Sequence, residues 1–212
     1  MINLSEIFFS IQGESSFAGF PCIFIRFAGC NLRCNYCDTK FAYETEFSME
    51  ISEIMKTIDK YSPVKLVEIT GGEPLLQPQI YDLISALLKK KYRILLETNG
   101  SVNLQKVPAE VIKIVDVKCP GSGEGNSFLM ENLKFLNPSD EIKFVLSDRN
   151  DYDWAKNFVE RYKLNGRKIL FSPVFGKVNP AELAKWILQD KLPVRMQLQL
   201  QKYIWNPKKR GV

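Results

Sequence analysis

The sequence predicts an α/β fold, specifically a partial (incomplete) parallel β/α barrel with abbreviated helices. Short apolar, β-branched runs alternate with longer segments of helical periodicity, which indicates βαβ crossovers and a mostly parallel sheet. The chain has 212 residues, whereas a full eight-fold barrel usually needs about 250. The connection between Thr98 and Val111 contains Asn99-Gly100 and Pro108, which break a long helix. We therefore expect an open barrel.

The elements follow one another without a linker or an internal repeat, so a single domain covering residues 1–212 is predicted. An extra strand or edge segment at residues 4–11 precedes the first crossover. The predicted strands are residues 22–28, 65–70, 93–97, 112–118, 141–146, 168–172 and 195–201. The predicted helices are residues 49–60, 77–91, 129–135, 151–162 and 180–190. In the second of these helices the apolar residues recur every three or four positions and form one stripe.

Composition and charge exclude several classes of function. The chain contains no histidine, which removes Ser-His-Asp and Cys-His nucleophile systems and His-ligated zinc hydrolases. The net charge of +5 is not gathered into a basic stripe with stacking aromatics, so no nucleic-acid partner is expected. No apolar run approaches the roughly 18 residues of a membrane helix, and no secretory signal is visible. We expect a cytoplasmic enzyme without a membrane partner, and the sign of the net charge suits a small anionic substrate.

Three of the five cysteines lie together in the segment Cys30-Asn31-Leu32-Arg33-Cys34-Asn35-Tyr36-Cys37, directly after a predicted strand. The spacing C-x3-C-x2-C lets one loop wrap one iron–sulfur cluster, because cysteine thiolates hold such clusters. Three thiolates on a 4Fe–4S cluster leave one iron open to an external ligand. A three-thiolate zinc site completed by Cys22, Cys119 or Asp38 is an alternative, and ordinary buried thiols are another.

A second segment, Thr70-Gly71-Gly72-Glu73-Pro74, ends the next predicted strand. Two glycines allow the backbone to approach a ligand closely, and the Glu73 carboxylate can pair with an ammonium group. The same residues could also form an ordinary strand–turn–helix junction with proline at the first helical position.

The cysteine loop and the glycine segment, in this order on successive strands, resemble the signature motifs of the radical S-adenosylmethionine superfamily. The resemblance implies a barrel of the radical SAM type, a 4Fe–4S cluster on Cys30, Cys34 and Cys37, and S-adenosylmethionine bound at the open iron. Glu73 and Gly72 would contact the methionine amino group. Further residues that the resemblance assigns to the cofactor pocket are Tyr36, Cys37, Asp38, Asn99, Lys118, Cys119, Pro120, Ser172, Pro173, Val174 and Phe175.

Four other segments are similar to the 7-carboxy-7-deazaguanine synthase family. The segment containing Gln12, Gly13 and Glu14 resembles its pterin-binding motif, and Arg26 matches its substrate-carboxylate arginine. Residues 116–123 resemble its cofactor-contacting strand end, and residues 197–203 its closing strand. In this resemblance Thr70 orients the pterin and Thr39 ligates a Mg²⁺ ion bound to the substrate. Where the family commonly has a histidine, this chain has Gln201, which can hydrogen-bond a pterin but carries no charge.

Several of these residues have simpler interpretations. Gln12, Gly13 and Glu14 could form a polar turn. Arg26 could make a structural ion pair with Glu68 or Glu97, because a buried arginine needs a partner. Thr39 could cap a helix, and Asn99-Gly100 could be a turn.

The reaction that the resemblance implies is radical conversion of 6-carboxy-5,6,7,8-tetrahydropterin to 7-carboxy-7-deazaguanine with loss of ammonia, a step of queuosine-type deazapurine biosynthesis. A 5′-deoxyadenosyl radical would abstract hydrogen from C6 of the pterin. The resemblance also implies a homodimer and a flavodoxin- or ferredoxin-type electron donor. The alternatives are a glycyl-radical activating enzyme and a zinc-binding module without catalysis.

Overall fold

All nine strands of the protein belong to one sheet in a computed structural model that describes residues 1–212. The strands are β1 Ile2–Ile11, β2 Pro21–Phe27, β3 Phe47–Met49, β4 Leu66–Gly71, β5 Arg93–Thr98, β6 Ile112–Asp116, β7 Glu141–Leu146, β8 Lys168–Pro173 and β9 Arg195–Met196. Their order across the sheet is β3-β1-β2-β4-β5-β6-β7-β8-β9. Strand β1 runs antiparallel to β2 and β3, and every pairing from β2 to β9 is parallel. The predicted open, mostly parallel barrel is confirmed.

Five α-helices accompany the sheet. They are α1 Ile51–Asp59, α2 Ile80–Lys89, α3 Arg149–Arg161, α4 Pro180–Asp190 and the single turn α5 Gln201–Ile204. The predicted helix at residues 129–135 is wrong in type, because Met130–Phe135 is a 3₁₀ helix. No α-helix connects β5 to β6 or β6 to β7. The abbreviated helices expected from the sequence are therefore present.

Capping residues fix where the longer helices begin. The Asn179 side chain accepts a hydrogen bond from the Ala181 backbone N–H, and Pro180 occupies the first position of α4. Asp148 accepts in the same way from the Asp151 N–H at the start of α3. Both helices thus satisfy one of their free N-terminal donors with a side chain.

The two faces of the sheet differ in chemistry. One face carries the core, a cluster of 37 buried residues that includes Ile25, Ile69 and Phe144. Because side chains alternate along a strand, the intervening residues point to the opposite face. There they are largely polar, and we call this surface the polar face. It includes Arg26, Glu68, Thr70, Glu97, Asp116 and Lys143.

The chain departs from the predicted elements at its two ends. The first strand begins at Ile2, and the short strand β3, which was not predicted, pairs with it. The predicted strand 195–201 is wrong beyond Met196, because only Arg195 and Met196 pair with β8. The following segment leaves the sheet edge and donates a hydrogen bond from Leu200 N to Gly13 O (3.0 Å). Residues 197–203 consequently do not form the closing strand that the resemblance implied.

Candidate active site

The cysteine loop lies at the carboxyl end of β2, where ligands bind in parallel sheets. Backbone and side-chain hydrogen bonds attach it to the loop after β6. Asn35 N donates to Ser122 O (2.8 Å), and Arg33 N donates to Glu124 Oε1 (2.7 Å). The protein's own hydrogen bonds thus hold the loop against the end of β6, which is distant in sequence.

Cys30, Cys34 and Cys37 are free thiols in this loop, with Cys34 buried and the others half-buried. The Leu32 N–H points at Cys30 Sγ (3.4 Å), and Thr39 Oγ1 lies 3.7 Å from Cys37 Sγ. Burial raises the pKa of Cys30 and Cys34 above that of a free thiol, so metal ligation has to displace a proton from each.

The zinc alternative finds no support in the arrangement of donors. No three cysteine, aspartate or glutamate side chains in the chain converge closely enough to hold a single metal ion. Cys22 lies at the opposite end of β2, Cys119 points into the core, and Asp38 is paired with Lys202 (2.5 Å). Three free thiols with C-x3-C-x2-C spacing in one loop are a donor set that suits a 4Fe–4S cluster with one open iron.

The glycine segment ends β4 beside this loop. A Cβ on Gly72 would overlap Gly29 O, and one on Gly71 would overlap Phe27 O. Glycine is therefore required here for close contact between the ends of β4 and β2, whatever it does for a ligand. Glu73 is completely buried, and its carboxylate accepts hydrogen bonds from Leu75 N, Thr98 Oγ1 and Asn99 N. Burial raises the pKa of Glu73 to about 7.

Asn99 occupies the predicted turn and also reaches the cysteine loop. Gly100 has φ +68°, and Ser101 N donates to Asn99 Oδ1 (2.9 Å), which confirms the turn. Asn99 Nδ2 in turn donates to Asn31 Oδ1 (3.2 Å). This residue therefore couples the end of β5 to the loop that carries the cysteines.

The three residues 118–120, which follow β6, differ in where their side chains lie. Lys118 Nζ contacts Asp116 Oδ2 (2.9 Å) on the polar face. Although burial lowers the pKa of Lys118, Asp116 and Cys34 raise it above the ordinary value. The Cys119 side chain is wholly buried in the core, so a contact of this residue with the cofactor would come from its backbone. Pro120 is exposed and begins the 3₁₀ turn Pro120–Ser122.

The ends of β7 and β8 also lie at the carboxyl edge of the sheet, and the cysteine loop contacts the first of them. Tyr36 Oη donates to Val145 O (3.1 Å), so the aromatic residue before Cys37 spans to the end of β7. Ser172, Pro173 and Val174 are buried at the end of β8, whereas Phe175 is exposed and meets Tyr203 edge-on at 5.7 Å.

The predicted pterin segment and the tail are in direct contact. Gln201 Nε2 and Gln199 Nε2 donate to Glu14 Oε1 at 3.0 and 3.1 Å, and Gln197 Nε2 approaches Glu14 Oε2 at 3.4 Å. A Cβ on Gly13 would overlap Gln201 Oε1. Gln12 is buried and its side-chain amide donates to Glu68. Residues 12–14 and the tail, which are 185 and 187 positions apart at these contacts, thus form one surface. An isolated polar turn would have no such contact with the tail.

Lys143 lies at the centre of the polar face and was missed in the sequence. Its Nζ contacts Glu97 Oε1, Glu14 Oε2 (3.1 Å) and Asp116 Oδ2 (3.7 Å). Burial lowers its pKa, but Glu14, Glu97 and Asp116 raise that pKa well above the ordinary value. Burial raises the pKa of Glu97, but Lys143 and the Thr70 hydroxyl outweigh it and lower that pKa to about 2. Thr70 therefore contacts a charged carboxylate that sequence reasoning treated only as a rival partner for Arg26.

Arg26 has a partner other than the two considered from the sequence. Its Nε donates to Glu6 Oε1 (2.8 Å), and the expectation of Glu68 or Glu97 as the ion-pair partner is wrong. The reason is strand order, because β1 lies antiparallel beside β2 and sets Glu6 directly opposite Arg26. On its other side Arg26 is level with Thr70 in β4. Thr39 precedes the 3₁₀ turn Lys40–Tyr43, but its side chain makes no capping hydrogen bond there.

Three buried acceptor atoms, one on the polar face and two on the tail beside it, have no hydrogen-bond partner. They are Asp116 Oδ1, Gln197 Oε1 and Gln201 Oε1. A buried polar atom without a partner costs about 1–3 kcal/mol, and such atoms concentrate at functional sites. The site therefore offers acceptors to a ligand that carries several N–H donors.

The sequence comparisons agree with this geometry. Residues 24–188 match the family model of the Radical SAM superfamily. The chain is 46% identical over 226 residues to a 7-carboxy-7-deazaguanine synthase of Koribacter versatilis, covering 100% of both chains. It is 48% identical over 215 residues to the synthase of the same name in Chlorobaculum tepidum, covering 100% of this chain and 97% of the relative. The chain belongs to the 7-carboxy-7-deazaguanine synthase family.

A solved structure supports the fold of this synthase family member. The crystal structure of QueE from Escherichia coli matches with a TM-score of 0.74 at 24% identity, covering 92% of this chain and 93% of that one. As a radical SAM enzyme, the protein uses a 4Fe–4S cluster and S-adenosylmethionine, and the three thiols of the cysteine loop suit that cluster. The alternatives of a glycyl-radical activating enzyme and a zinc-binding module are not supported. No helix in the structure has both the length and the apolar character needed to cross a membrane.

Other residues of the candidate site became visible only in the structure. Glu6, Gln197, Gln199 and Lys202 all contact residues that the sequence had assigned to the site. The sequence does mark Lys143, because it is the one cation in the strand Glu141–Leu146. It lies two residues after Glu141, so both side chains point to the same face of the sheet. Charged residues inside parallel strands are costly unless they are paired.

Proposed function

We propose that this protein converts 6-carboxy-5,6,7,8-tetrahydropterin to 7-carboxy-7-deazaguanine with loss of ammonia, as a step of queuosine-type deazapurine biosynthesis. The observation that carries this proposal is the surface formed by the polar face and the tail beside it. It combines a half-buried arginine, a carboxylate contacted by three glutamine amides, and three acceptors without partners. A carboxylated pterin has the complementary groups, namely one carboxylate and several ring and exocyclic N–H donors.

The cofactors would be held at the carboxyl rim of the barrel. Cys30, Cys34 and Cys37 would hold the cluster, and the backbone of Gly72 with Tyr36, Asn99 and Lys118 would surround S-adenosylmethionine. When bound, this pair supplies a radical able to abstract hydrogen from a carbon of the substrate. The protein supplies position and the exclusion of water.

The chain's own residues would orient the pterin through hydrogen bonds. Glu14 and Gln201 are in direct contact with each other, while Arg26 and Thr70 sit level on neighbouring strands; together with Gln12 they would surround the pterin. Arginine presents a planar set of donors that suits a carboxylate. Glu14 is contacted by glutamine amides and by Lys143, and its carboxylate oxygens would accept hydrogen bonds from the pterin.

The finer assignments form part of the same proposal. Thr39 would ligate a Mg²⁺ ion together with the substrate, since oxygen ligands suit that ion and the Thr39 hydroxyl is not used as a helix cap. The enzyme would act as a homodimer and receive electrons from a flavodoxin or a ferredoxin. Gel filtration and turnover with each donor in place of a chemical reductant would test these points.

The test is an anaerobic assay of the reconstituted protein with S-adenosylmethionine, reductant, Mg²⁺ and 6-carboxytetrahydropterin. We expect a product with the ultraviolet spectrum and mass of 7-carboxy-7-deazaguanine. Cys34→Ala serves as the inactive control. Formation of 5′-deoxyadenosine while the pterin stays unchanged would contradict the proposed substrate.

A further inference from the structure

The Glu6–Arg26 pair has a geometry that leaves part of the arginine free. Glu6 Oε1 accepts only from Nε, at 2.8 Å. The two terminal nitrogens of Arg26 make no hydrogen bond with any residue of the chain. The guanidinium carbon lies 5.7 Å from the Phe8 ring centroid and 5.8 Å from that of Phe41. One edge of the guanidinium is therefore fixed and the other edge is available.

A bulge in β1 brings Glu6 to this position. Leu4 pairs with Phe27, but the next pair is Glu6 with Arg26, so Ser5 is an extra residue with no partner on β2. Without the bulge Ser5 would face Arg26, and Glu6 would point to the opposite side of the sheet. The Ser5 side chain is 3% exposed and its hydroxyl has no partner. The fold thus accepts an unsatisfied hydroxyl in the arrangement that places a carboxylate opposite Arg26.

The Glu6 carboxylate is shared between Arg26 and a second arginine, Arg210. Arg210 Nε lies 3.9 Å from Glu6 Oε2, and its guanidinium stacks 3.9 Å from the Phe41 ring centroid. Arg210 also contacts Glu46 Oε1 at 3.4 Å. One carboxylate shared by two guanidiniums leaves positive charge on Arg26 for an incoming anion.

We propose that Glu6 is a positioning residue, which holds Arg26 by Nε so that its two terminal nitrogens face the carboxylate of the substrate. This inference rests on the proposed function and extends it to a residue outside the ligand contacts. The free edge of the guanidinium matches the bidentate geometry of a carboxylate. A side chain that is fixed in advance loses less conformational freedom when the substrate binds.

Two variants separate position from charge. Glu6→Gln keeps the length of the side chain and an acceptor for Nε but removes the charge, whereas Glu6→Asp keeps the charge and withdraws the acceptor by one methylene. The measurement is the dissociation constant of 6-carboxytetrahydropterin and of tetrahydropterin without the carboxylate. Both are titrated anaerobically into the cluster-loaded protein with S-adenosylmethionine and Mg²⁺, without reductant. Glu46→Gln is the matched control, because Glu46 contacts Arg210 but not Arg26.

We expect Glu6→Asp to reduce the preference for the carboxylated pterin about tenfold, the order expected for one charge-assisted hydrogen bond. Glu6→Gln and Glu46→Gln should largely retain it. The inference is overturned if Glu6→Asp keeps the preference while Arg26→Ala loses it, or if Glu6→Gln is the more damaging change. A wild-type protein with no preference for the carboxylate would overturn both the inference and the proposed substrate.

Discussion

The ammonium of Lys143 lies 3.1 Å from the Glu14 carboxylate, and this ion pair joins the middle of the sheet to the loop after the first strand. The two residues are 129 positions apart in the chain. Lys143 also contacts Glu97 and Asp116, so one buried cation holds three carboxylates together. The arrangement of the polar face consequently depends on a residue that belongs to none of the recognised motifs.

Replacing Lys143 should show this dependence in the stability of the protein. Lys143→Met leaves Glu14, Glu97 and Asp116 close together without their cation, and breaking a buried pair in this way costs about 3–5 kcal/mol. The loss should shrink as the pH falls, because protonation of the carboxylates relieves their repulsion. Urea denaturation at several pH values measures both effects.

Lys156→Met is the matched control for that experiment. Lys156 contacts Asp190 at 3.0 Å, but the two side chains are 30% and 22% exposed. A pair screened by solvent contributes about 1 kcal/mol or less. Equal losses for the two variants would contradict a central role for Lys143.

Glu68 should make the protein less stable as the pH rises. Burial, followed by the nearby charges of Glu97 and Glu14, raises the pKa of Glu68 well above its value in an unfolded chain. The folded state then binds a proton more tightly than the unfolded state, so stability is full at acid pH and is lost as the pH increases through the folded pKa. Glu68→Gln should therefore melt higher than the wild type at pH 8, with a smaller difference at pH 5.

The expected difference for Glu68→Gln is a few degrees, since about 1 kcal/mol corresponds to about 2–4 °C in a domain of this size. Thermal unfolding followed by circular dichroism checks it. Glu131→Gln, on the 3₁₀ helix Met130–Phe135, is exposed and should show no such dependence. A variant that melts below the wild type at pH 8 would mean that Glu68 is charged and stabilising.

Gly13→Ala should detach the tail from residues 12–14. The new methyl group would overlap Gln201 Oε1 and press on Gln201 N (3.0 Å), so the hydrogen bond from Gln201 to Glu14 should be lost. We expect weaker pterin binding and faster tryptic cleavage after Lys202. Gly166→Ala is the control, because a Cβ there meets open space even though its φ of +95° strains the backbone. Unchanged cleavage in Gly13→Ala would show that the tail is held elsewhere.

Cys34→Ala should abolish cluster binding. Removing one of three thiolates leaves too few protein ligands for the cluster, so iron content and visible absorbance should fall to background after anaerobic reconstitution. Cys22→Ala is the matched control, because this buried thiol lies at the far end of β2 and the cluster should remain. A Cys34→Ala protein with normal absorbance and turnover would refute the assignment.

Much of the site could be predicted from the sequence because its motifs are local. The cysteine loop, the glycine segment and residues 12–14 are each a few consecutive residues, and each follows a strand. Parallel strands bring their carboxyl ends to one edge, so the proximity of the cysteine loop and the glycine segment followed from their places after β2 and β4. Residues 12–14 follow the antiparallel strand β1, so this argument does not place them. The larger helices and strands were predicted to within a few residues because apolar periodicity is also a local pattern.

The remaining features depend on which strands become neighbours. Local spacing predicted the cysteine loop, and the alternation of apolar residues predicted an open parallel barrel; the resemblance of the motifs to known families implied the radical SAM assignment. Only the tertiary structure decided that Arg26 pairs with Glu6, that Lys143 joins three carboxylates, and that the tail leaves the sheet to contact Gly13. These are contacts between residues far apart in the chain, and strand order, a one-residue bulge and burial of charge select them. No local pattern records those choices.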